Sequence, residues 1–492
     1  IYSKISKNDT VSVPLPGPFM LPIIGNVHQI KLPIHKHFSK LSEKYGPIYK
    51  LQMGIKTWVI INDARIVKDL YVTKGTIYNS RENTKILGQI YLRGGKNPVL
   101  CPYGEYWKAQ RALSQVGLRL HNIDNHYFPI IREMTDEMIK KILSYNEEAI
   151  NPSHDIYYYL VRILVLCVFG YSSKELGEKY IDIVKESIVL LDPKTSIVDF
   201  FPWTECLPFN QRYIKYAMEA RARVDKVSEE LLNDLQKRMN EPGGEKINCF
   251  AAEALRSVKF VDINPSPFVQ DYGKKDKVDG LYPVDIYDFN YLNSSFMIGG
   301  TSTSINATRF LIAYVAQYQN VQRKVQEELD SIVGKGNFAT TKHLDDLCYL
   351  QATLKEVLRL NPPFVSVLPH ASTEDDIYKG YFIPKDSTIL INLMGISRDP
   401  EFFSDPDAFI PERHLDENGI LIKYDLHDIS FGKGRRMCIG RDLAERNILV
   451  IISSILSLFN IECEIDDKIG EKIDINLEPI ENGFEFIPKD YK

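Results

Sequence analysis

The sequence lacks a charge excess, a long apolar run and paired cysteines, and each absence excludes a class of protein. Its net charge of -5 and pI near 6.1 do not suit a nucleic-acid-binding protein, which carries a basic surface. No run of about 18 apolar residues occurs, so we expect no membrane-spanning helix within this chain. Seven scattered cysteines without a C-x-x-C pair exclude a disulfide framework and a zinc site and fit a reducing compartment; they stand at positions 101, 167, 206, 249, 348, 438 and 463.

A nucleotide-binding G-x-G-x-x-G motif between a strand and a helix is also absent, so this chain has no dinucleotide site of its own. What is present is an ordinary globular composition, 44% hydrophobic and 25% charged, over 492 residues. Helical periodicity dominates the middle of the chain, and short strand-like runs lie towards its two ends. This pattern predicts a mainly α fold of the α+β class.

Apolar spacing predicts helices over 36–45, 64–74, 124–145, 161–169, 210–240 and 285–319. Two strand-like runs, 48–53 and 57–61, are separated by Gly54-Ile-Lys, which indicates a hairpin. Glu241-Pro-Gly-Gly is expected to end the helix before it. The polar, lysine-rich stretch 257–279 is predicted to be a loop.

One cysteine lies in a loop of unusual composition, Phe431-Gly-Lys-Gly-Arg-Arg436-Met-Cys438-Ile-Gly440, just before an apolar-periodic segment. A thiolate binds metal far better than a thiol, and a helix N-terminus and nearby positive charge lower the pKa of a thiol. The glycines admit a large flat ligand, and Arg436 offers a fork of donors to a carboxylate. A thiolate facing a planar dicarboxylate suggests haem, although a lone cysteine is more often an ordinary buried thiol.

These ten residues match, position by position, the F-x-x-G-x-R-x-C-x-G haem loop of the cytochromes P-450, and the chain resembles the eukaryotic microsomal type over nearly its whole length. The resemblance implies the cytochrome P-450 fold, with a long central helix over haem b and small β-sheets at the periphery. It implies that Cys438 ligates the iron. The haem-contacting residues implied in and after this loop are Phe431, Gly432, Arg436, Gly440 and Ala444.

Two further motifs imply contacts with the acid groups of the haem. Trp107 and Arg111 stand at i and i+4, hence on one helix face, and in this family such a pair contacts a haem propionate. On its own, W-x-x-x-R is a weak signal, because a cation–π pair on a helix surface would explain it as well. His370, just after Leu368-Pro369, stands where family members carry a second propionate partner.

Glu356 and Arg359 form an E-x-x-R motif near the end of a predicted helix whose flanks are apolar. Opposite charges in an apolar setting need further partners. The family resemblance supplies Arg413, which would complete a structural triad that supports the haem loop. His414 follows where the family usually has an aromatic residue, and we expect this departure to have little consequence.

Adjacent glycines, Gly299 and Gly300, interrupt the predicted helix over 285–319, and each costs roughly 1 kcal/mol relative to alanine. Such a cost is often met where a helix bends or lets a ligand approach. The hydroxyl residues that follow can bond back to carbonyls four residues earlier. The segment resembles the family's A-G-x-D/E-T-T/S stretch, in which the glycines and Thr303 border the haem and Thr303 supplies a proton.

Ser302 occupies the acidic position of that stretch, which leaves two readings. In the first, protons reach the site through Thr303, Ser302, Ser304 and water, and the chain is a monooxygenase that inserts one oxygen atom from dioxygen. In the second, it is an isomerase or dehydratase that acts on a peroxide without external electrons. A rival outside catalysis is a haem carrier or gas sensor, which would bind ligands without consuming NADPH.

Apolar side chains recur in the segments that line the substrate pocket of family members, which favours a hydrophobic substrate such as a terpenoid, fatty acid, sterol or aromatic. These segments are 86–87, 99–100, 200–203, 296–298, 364–368 and Gly483-Phe484. The resemblance also implies that electrons come from NADPH–cytochrome P-450 reductase. A basic face for this donor is expected from Lys108, Lys433, Arg435 and Arg441.

The start of the chain carries a basic stretch and then Pro14-Leu-Pro-Gly-Pro18. In microsomal members such a segment follows an N-terminal membrane anchor. We therefore expect residues 1–18 to be a hinge after an anchor that precedes Ile1, and residues 19–492 to form one catalytic domain on the cytosolic face of the endoplasmic reticulum. A simple surface turn is the alternative for Pro14 to Pro18.

Overall fold

The structure, a computed structural model, describes residues 12–145, 150–170, 197–260, 282–364, 366–423 and 425–464, together with residues 179, 183, 190, 475 and 477. The basic start of the predicted hinge, most of the lysine-rich stretch, Val365 and Gly483-Phe484 lie outside these residues. The helices described are α1 (Ile34–Tyr45), α2 (Ala64–Val67), α3 (Gly75–Tyr78), α4 (Glu105–Gly117), α5 (Leu120–Asn122), α6 (Phe128–Leu143), α7 (Ser153–Phe169), α8 (Ile197–Phe200), α9 (Pro208–Asn240), α10 (Phe250–Arg256), α11 (Ile286–Gln317), α12 (Gln319–Ile332), α13 (Thr341–Leu344), α14 (Cys348–Leu360), α15 (Leu393–Ile396) and α16 (Arg441–Leu456).

Most predicted helices are found close to their expected bounds, and local signals explain where they begin and end. Helix α11 starts at a capping box between Asp285 and Asp288, and α7 ends at Gly170, which has a positive φ. The predicted helix over 64–74 is instead α2 followed by a π-helical segment, Lys68–Thr73. Other short helical segments are π-helical (Lys85–Tyr91 and Ile123–Tyr127) or 3₁₀ (Val27–Gln29, Pro202–Thr204, Gly244–Lys246, Pro411–His414 and Gly434–Arg436).

The strands are β1 (Val13–Pro14), β2 (Ile48–Met53), β3 (Lys56–Ile61), β4 (Val258–Phe260), β5 (Tyr282–Val284), β6 (His370–Ala371), β7 (Asp376–Tyr378), β8 (Tyr381–Ile383) and β9 (Thr388–Ile391). The predicted hairpin is antiparallel β2–β3, with Tyr49 opposite Ile60 and Gly54 at φ +58° in the turn. Strand β3 pairs in parallel with β9 and β9 with β6, which joins early and late parts of the chain in one sheet. Strand β4 corrects the loop prediction at its start, since it pairs in parallel with β5.

Strand β1 pairs in parallel with β8, in a sheet that also contains β7. The neighbouring Leu15 is buried, and the Lys50 amide donates to the Pro16 carbonyl. The part of the proline-rich segment that the structure describes therefore packs on the folded chain. None of the helices within the described residues combines the length and apolar character needed to cross a bilayer.

The largest core lies between helices and positions the site. Helix α7 is apolar almost all round and packs along α11, with Leu164 against Gly300. On other sides α11 meets α14 and α16. Because the cysteine loop leads directly into α16, this packing places that loop and the middle of α11 in the same core.

Candidate functional site

The loop Phe431–Gly440, called here the haem loop, is shaped by its own backbone. The Cys438 amide donates to the Phe431 carbonyl at 2.8 Å and so closes the loop. Gly432 and Gly434 adopt φ values of +77° and +70°, which suit glycine. A Cβ on Gly434 would collide with the Tyr71 carbonyl, so this close approach requires glycine. The loop ends at Gly440, whose carbonyl accepts from the Ala444 amide in the first turn of α16.

The side chain of Cys438 is solvent-accessible although protein surrounds it closely. Burial raises the pKa of the Cys438 thiol, while the Gly440 amide and the positive charges of Arg111 and Arg441 lower it. A sulfur atom that is accessible yet surrounded by protein, with two cations nearby, suits a thiolate that ligates a metal.

Arg436 ties the haem loop to three carbonyls on the facing segments. Its guanidinium donates to Asn79 O at 2.8 Å, Pro98 O at 3.3 Å and Cys101 O at 2.7 Å, and it stacks 4.5 Å above the Trp107 ring. The cation beside Trp107 is therefore Arg436 rather than Arg111.

Arg81 is a site residue that the sequence patterns did not reveal. It is buried and donates to Val99 O at 3.1 Å, to Pro369 O at 2.7 Å and to the Leu368 carbonyl. Burial, with a further contribution from Arg436, lowers the pKa of Arg81 to about 9. Within the described part of the chain neither arginine pairs with a carboxylate, although buried charges normally require a counter-charge. No sequence pattern marks Arg81, because its role depends on burial, which the sequence does not report.

Arg111 is half-buried on α4, and its charge acts on Cys438. No hydrogen-bond acceptor for its guanidinium is found among the residues that the structure describes. Burial lowers its pKa, which shows that the guanidinium is partly desolvated. Arg111, Arg436 and Arg81 together provide cationic groups with donors available to acid groups of a ligand.

His370 is almost fully buried, as the first residue of β6. Its Nδ1 lies 2.7 Å from the Tyr78 carbonyl, and its ring stacks on Tyr71 at 4.0 Å. Burial and the nearby Arg81 charge hold the pKa of His370 well below its usual value, so the imidazole is neutral at pH 7. The structure brings His370 beside Arg81 and Arg436, and its predicted contact with a propionate stays a prediction.

The predicted triad is present and has a fourth member. Arg359 donates to both oxygens of Glu356, at 2.7 and 2.8 Å, and Arg413 lies 3.4 Å from the same carboxylate. His414 Nε2 lies 2.9 Å from Glu356 Oε2, a contact that the sequence pattern did not predict, and the expectation that His414 has little consequence stays a prediction. Burial alone would raise the pKa of Glu356, but Arg359 and His414 hold it at about 2. We call these four residues the Glu356 cluster.

The Glu356 cluster supports the haem loop through neighbouring backbone. Arg359 also donates to the carbonyls of Ser397, Pro406 and Ala408, and the Ile410 amide donates to Glu356. Ser430, next to the loop, donates to Leu358 O at 3.2 Å. The cluster thus fixes the segment from which the loop emerges, and it has no reacting group of its own.

The central turns of α11 form the opposite wall. The helix is continuous through Gly299 and Gly300, so the glycines do not interrupt it. A Cβ on Gly299 would meet nothing within 4 Å, whereas one on Gly300 would lie 3.1 Å from Leu164. Thr303 donates to Gly299 O at 2.7 Å and Thr301 to Met297 O at 2.6 Å, which confirms the predicted bonding to carbonyls four residues earlier.

The donor set fits haem. Its iron requires an accessible soft ligand, which Cys438 provides, and its acid groups require cations, which Arg111, Arg436 and Arg81 provide. Its flat ring requires open space beside a helix, which Gly299 provides. In the described ranges no group of three or more His, Cys, Asp or Glu residues could hold a metal ion.

Other predicted features prove less simple in the structure. Each cation of the predicted basic face has a local partner: Lys108 with Glu105, Lys433 with Asp425 O, Arg441 with Glu445 and Arg435 with the Tyr103 hydroxyl.

Of the predicted pocket segments, Phe296 packs on Phe250, and Val367 lies beside Gly432. Phe200 packs on Trp58 of β3 instead, and Trp203 is 57% exposed, so this segment belongs to the outer surface.

Comparison with known proteins agrees with this geometry. The cytochrome P-450 family profile matches residues 15–482. Cytochrome P-450 750A1 from Pinus taeda is 29% identical over 467 residues, covering 92% of this chain and 86% of that protein. Cytochrome P-450 2E1 from Mesocricetus auratus is 25% identical over 97% of this chain and 92% of its own length. A solved zebrafish cytochrome P-450 with progesterone shares the fold, with a TM-score of 0.72 and 21% identity over 88% of this chain and 94% of that one.

The fold and the site define a haem-thiolate enzyme. The chain belongs to the cytochrome P-450 family, and its profile match spans nearly all of the sequence. It is a cytochrome P-450 monooxygenase that uses haem b and acts on small molecules, as relatives named for monooxygenase activity indicate. The sequence-based fold class is confirmed.

Proposed function

We propose that this protein inserts one oxygen atom from dioxygen into a hydrophobic small molecule, with electrons that NADPH supplies through a separate flavoprotein reductase. One observation carries the proposal: an accessible Cys438 lies in the same core as a helix with open space at Gly299 and a hydroxyl at Thr303. Haem bound through Cys438 would supply the activation of dioxygen.

The residues around the haem have distinct tasks. Cys438 would bind the metal, and Arg436, Arg111 and Arg81 would orient the cofactor through its acid groups. His370 is neutral and lies beside Arg81 and Arg436. The Glu356 cluster holds the haem loop in place, so its members are positioning residues.

Thr303 carries a hydroxyl proton one turn from Gly299, where α11 borders open space. Its hydroxyl hydrogen points to Gly299 O, and its oxygen lone pairs remain able to accept from water or Ser302. Thr303 can release its proton toward the site only when another donor replaces it. Ser302, which is 8% exposed, can relay such a proton but cannot supply one by ionising as a carboxyl group would.

A hydrophobic substrate is supported by the composition of the segments that line the pocket in family members. Phe296 and Ile298 on α11, Ile86 and Leu87 of the π-helical segment, and Val367 beside the haem loop are apolar. A pocket lined this way favours apolar ligands with few polar groups, such as terpenoids, fatty acids, sterols or simple aromatics.

We also propose that the protein lies on the cytosolic face of the endoplasmic reticulum membrane. Large apolar side chains are exposed on neighbouring early segments, with Phe19 at 80%, Ile23 at 75% and Leu32 at 74%. Ile55 and Trp203 are also exposed, and the Ile55 amide bonds to Phe200 O. Apolar patches of this kind mark interaction with lipid or protein. A liposome flotation assay tests the proposal, and protein that stays with the soluble fraction would refute it.

The function is tested with the purified protein and a microsomal reductase. The reduced protein with carbon monoxide should show the absorption band of a thiolate-ligated haem, and a panel of lipophilic ligands should include some that shift the spin state. NADPH should then be consumed only with reductase present. Turnover of a hydroperoxide without reductase, and none with it, would instead establish the isomerase or dehydratase reading.

Thr303→Ala tests the proton-delivery assignment. We expect NADPH consumption to continue while product falls and hydrogen peroxide rises, because the helix keeps its packing but loses the hydroxyl beside the site. Thr301→Ala is the matched control, since Thr301 makes the same type of bond but is fully buried. Unchanged coupling in Thr303→Ala would remove Thr303 from the mechanism.

A further inference from the structure

Asn97 is a buried residue whose polar groups organise the turn that follows it. Its Oδ1 accepts from the amides of Val99 and Leu100, at 2.9 and 3.2 Å. Its carbonyl accepts from the amides of Leu100 and Cys101, at 3.2 and 2.8 Å. An asparagine side chain that bonds to amides further along the chain shapes the backbone into a turn. We call residues 97–101 the Asn97 turn, and its geometry depends on this one residue.

The carbonyls of the Asn97 turn hold two guanidiniums of the site, those of Arg81 and Arg436. Within the described part of the chain these guanidiniums donate to six backbone carbonyls, and half of the six lie in the turn. The three are Pro98 O and Cys101 O, which accept from Arg436, and Val99 O, which accepts from Arg81. A guanidinium is planar with its N–H groups in a fixed fork, so the carbonyls that hold some of these groups set the direction of the others.

A polar anchor joins the Asn97 turn to α11. Asn97 Nδ2 donates to Ser295 Oγ at 2.5 Å. Lys96, the preceding residue, forms a buried ion pair with Asp285, the N-cap of α11, and its Nζ lies 3.4 Å from Asp288 Oδ1. Separating a buried ion pair leaves an uncompensated charge and is therefore costly. The turn is thus held in a fixed position against α11.

We propose that Asn97 is a positioning residue for the haem, because its turn orients Arg81 and Arg436 toward the acid groups of that cofactor. Lys96 and Ser295 act one step further out, since they hold the turn on α11. Asn97 acts through the two arginines rather than on the substrate. The inference rests on the proposed role of these arginines toward the haem acid groups, and it holds for any substrate.

Asn26 offers the comparison that separates positioning from an ordinary structural role. It is also buried, its Oδ1 accepts from the Gln52 amide at 2.7 Å, and its Nδ2 donates to Phe19 O at 3.0 Å. These partners lie in β2 and in an earlier segment, and neither is among the described acceptors of Arg81 or Arg436. Asn26→Leu therefore removes the same kind of bonds without acting on the arginines.

The first test measures haem release from the loaded protein to a haem-scavenging globin, together with the reduction potential of the haem. Asn97→Leu should speed release about tenfold, the effect of losing roughly one hydrogen bond to a charged group. The potential should fall, because displaced cations no longer favour the extra negative charge of the reduced haem. Asn26→Leu should lower the denaturant midpoint but leave haem release and potential unchanged. An equal rise in release in both variants, or a lower midpoint of Asn97→Leu with unchanged release and potential, would overturn the proposal.

The second test asks whether Asn97 acts through Arg436. Arg436→Met alone should release haem faster. Adding Asn97→Leu to it should then change the rate much less than in the unsubstituted protein, because residues that act through one another are not additive. Full additivity would refute the part assigned to Asn97. Unchanged release in Arg436→Met would instead refute the arginine role on which the inference rests, so the two failures are distinguishable.

Ser295→Ala keeps the proposal testable if Asn97→Leu does not fold. This variant removes the bond to α11 and leaves the bonds within the Asn97 turn, so haem release should rise about threefold. Ser294→Ala is the matched control, because Ser294 is also buried on α11 but its hydroxyl lies 2.9 Å from Ser228 Oγ instead. Equal release rates in the two serine variants would overturn the proposal.

Discussion

The haem loop and the centre of α11 face the same site but differ in how far their polar groups are paired. Beneath the loop, Glu356 accepts bonds from two side chains and one backbone amide, and Arg359 donates to three carbonyls besides. On α11, Ser302 and Asn306 lack partners in the described structure, and Gly299 borders open space. In the first region most polar groups of the Glu356 cluster are paired, with the buried Arg413 Nε as an exception. The second keeps capacity to bind small polar molecules.

The difference follows from what each region must do. A metal ligand has to stay in one position, so its support carries redundant hydrogen bonds and buried charge pairs, which are costly to break. A wall that admits dioxygen, water and substrate needs free volume and groups that can change partners. Substitutions in the supported region should therefore reduce stability and haem retention, and those on α11 should alter chemistry and ligand size.

The largest effect is expected from Cys438→Ser, which removes the metal ligand without changing the shape of the loop. The haem content should fall, and any haem that remains should lose the thiolate absorption band of its carbon monoxide complex, because a serine hydroxyl is a poor iron ligand. Cys206→Ser, at an exposed cysteine, is the control. An unchanged spectrum in Cys438→Ser would disprove the thiolate assignment.

Glu356→Gln should reduce stability by about 3–5 kcal/mol near pH 7, because it leaves the buried Arg359 and the half-buried Arg413 without their counter-charge. The measurement is the denaturant midpoint of unfolding together with the rate of haem loss. The Glu356 carboxyl has a pKa of about 2 in the folded protein and a usual value of 4.5. Its stabilising effect is therefore fully present above pH 4.5 and is lost as the pH falls from 4.5 to about 2, so the two proteins should converge in acid.

His414→Phe restores the aromatic residue usual in the family and removes one bond to Glu356. We expect a loss of about 1–2 kcal/mol, the scale of a hydrogen bond to a charged group, with a smaller increase in haem loss than in Glu356→Gln. His154→Phe, whose side chain is 91% exposed, is the control for adding an aromatic ring. Equal stability of His414→Phe and the unsubstituted protein would show that the other three members suffice.

Gly299→Ala and Gly300→Ala form the sharpest pair on α11, with the smallest expected effects. Both gain helix propensity of about 1 kcal/mol, but the new methyl group of Gly300→Ala lies 3.1 Å from Leu164 and offsets that gain. Gly299→Ala should raise the unfolding midpoint and weaken the spin-state response to bulky ligands. A larger stabilisation by Gly300→Ala than by Gly299→Ala would contradict the open space at Gly299. Stabilisation by Gly300→Ala without a change in the spin-state response to ligands would contradict it as well.

Much of the fold was predictable because local signals and packing agree. The hairpin of β2 and β3, the capped start of α11 and the glycine end of α7 all carry short-range cues in the sequence. The π-helical turn after α2 and the pairing of β4 with β5 were missed. Both depend on tertiary packing against other segments, which the local periodicity of the sequence does not report.

The site was predictable only where it forms a motif. Cys438 and the loop around it carry a ten-residue pattern, and Glu356 with Arg359 carries a spacing. Arg81 has no motif, since its role depends on carbonyls of Val99 and Pro369 that approach it only after folding. His414 shows the same limit, because its contact with Glu356 joins residues 58 positions apart.

The amino-acid sequence alone determined the kind of ligand and the helical framework, because both signals are properties of short segments. The first is a cysteine among glycines and arginines, and the second is an apolar period of 3.6 residues. The tertiary structure decided which charges meet, which amides stay unpaired and where space remains beside α11. Those properties arise from burial, and burial depends on every element that packs around a residue.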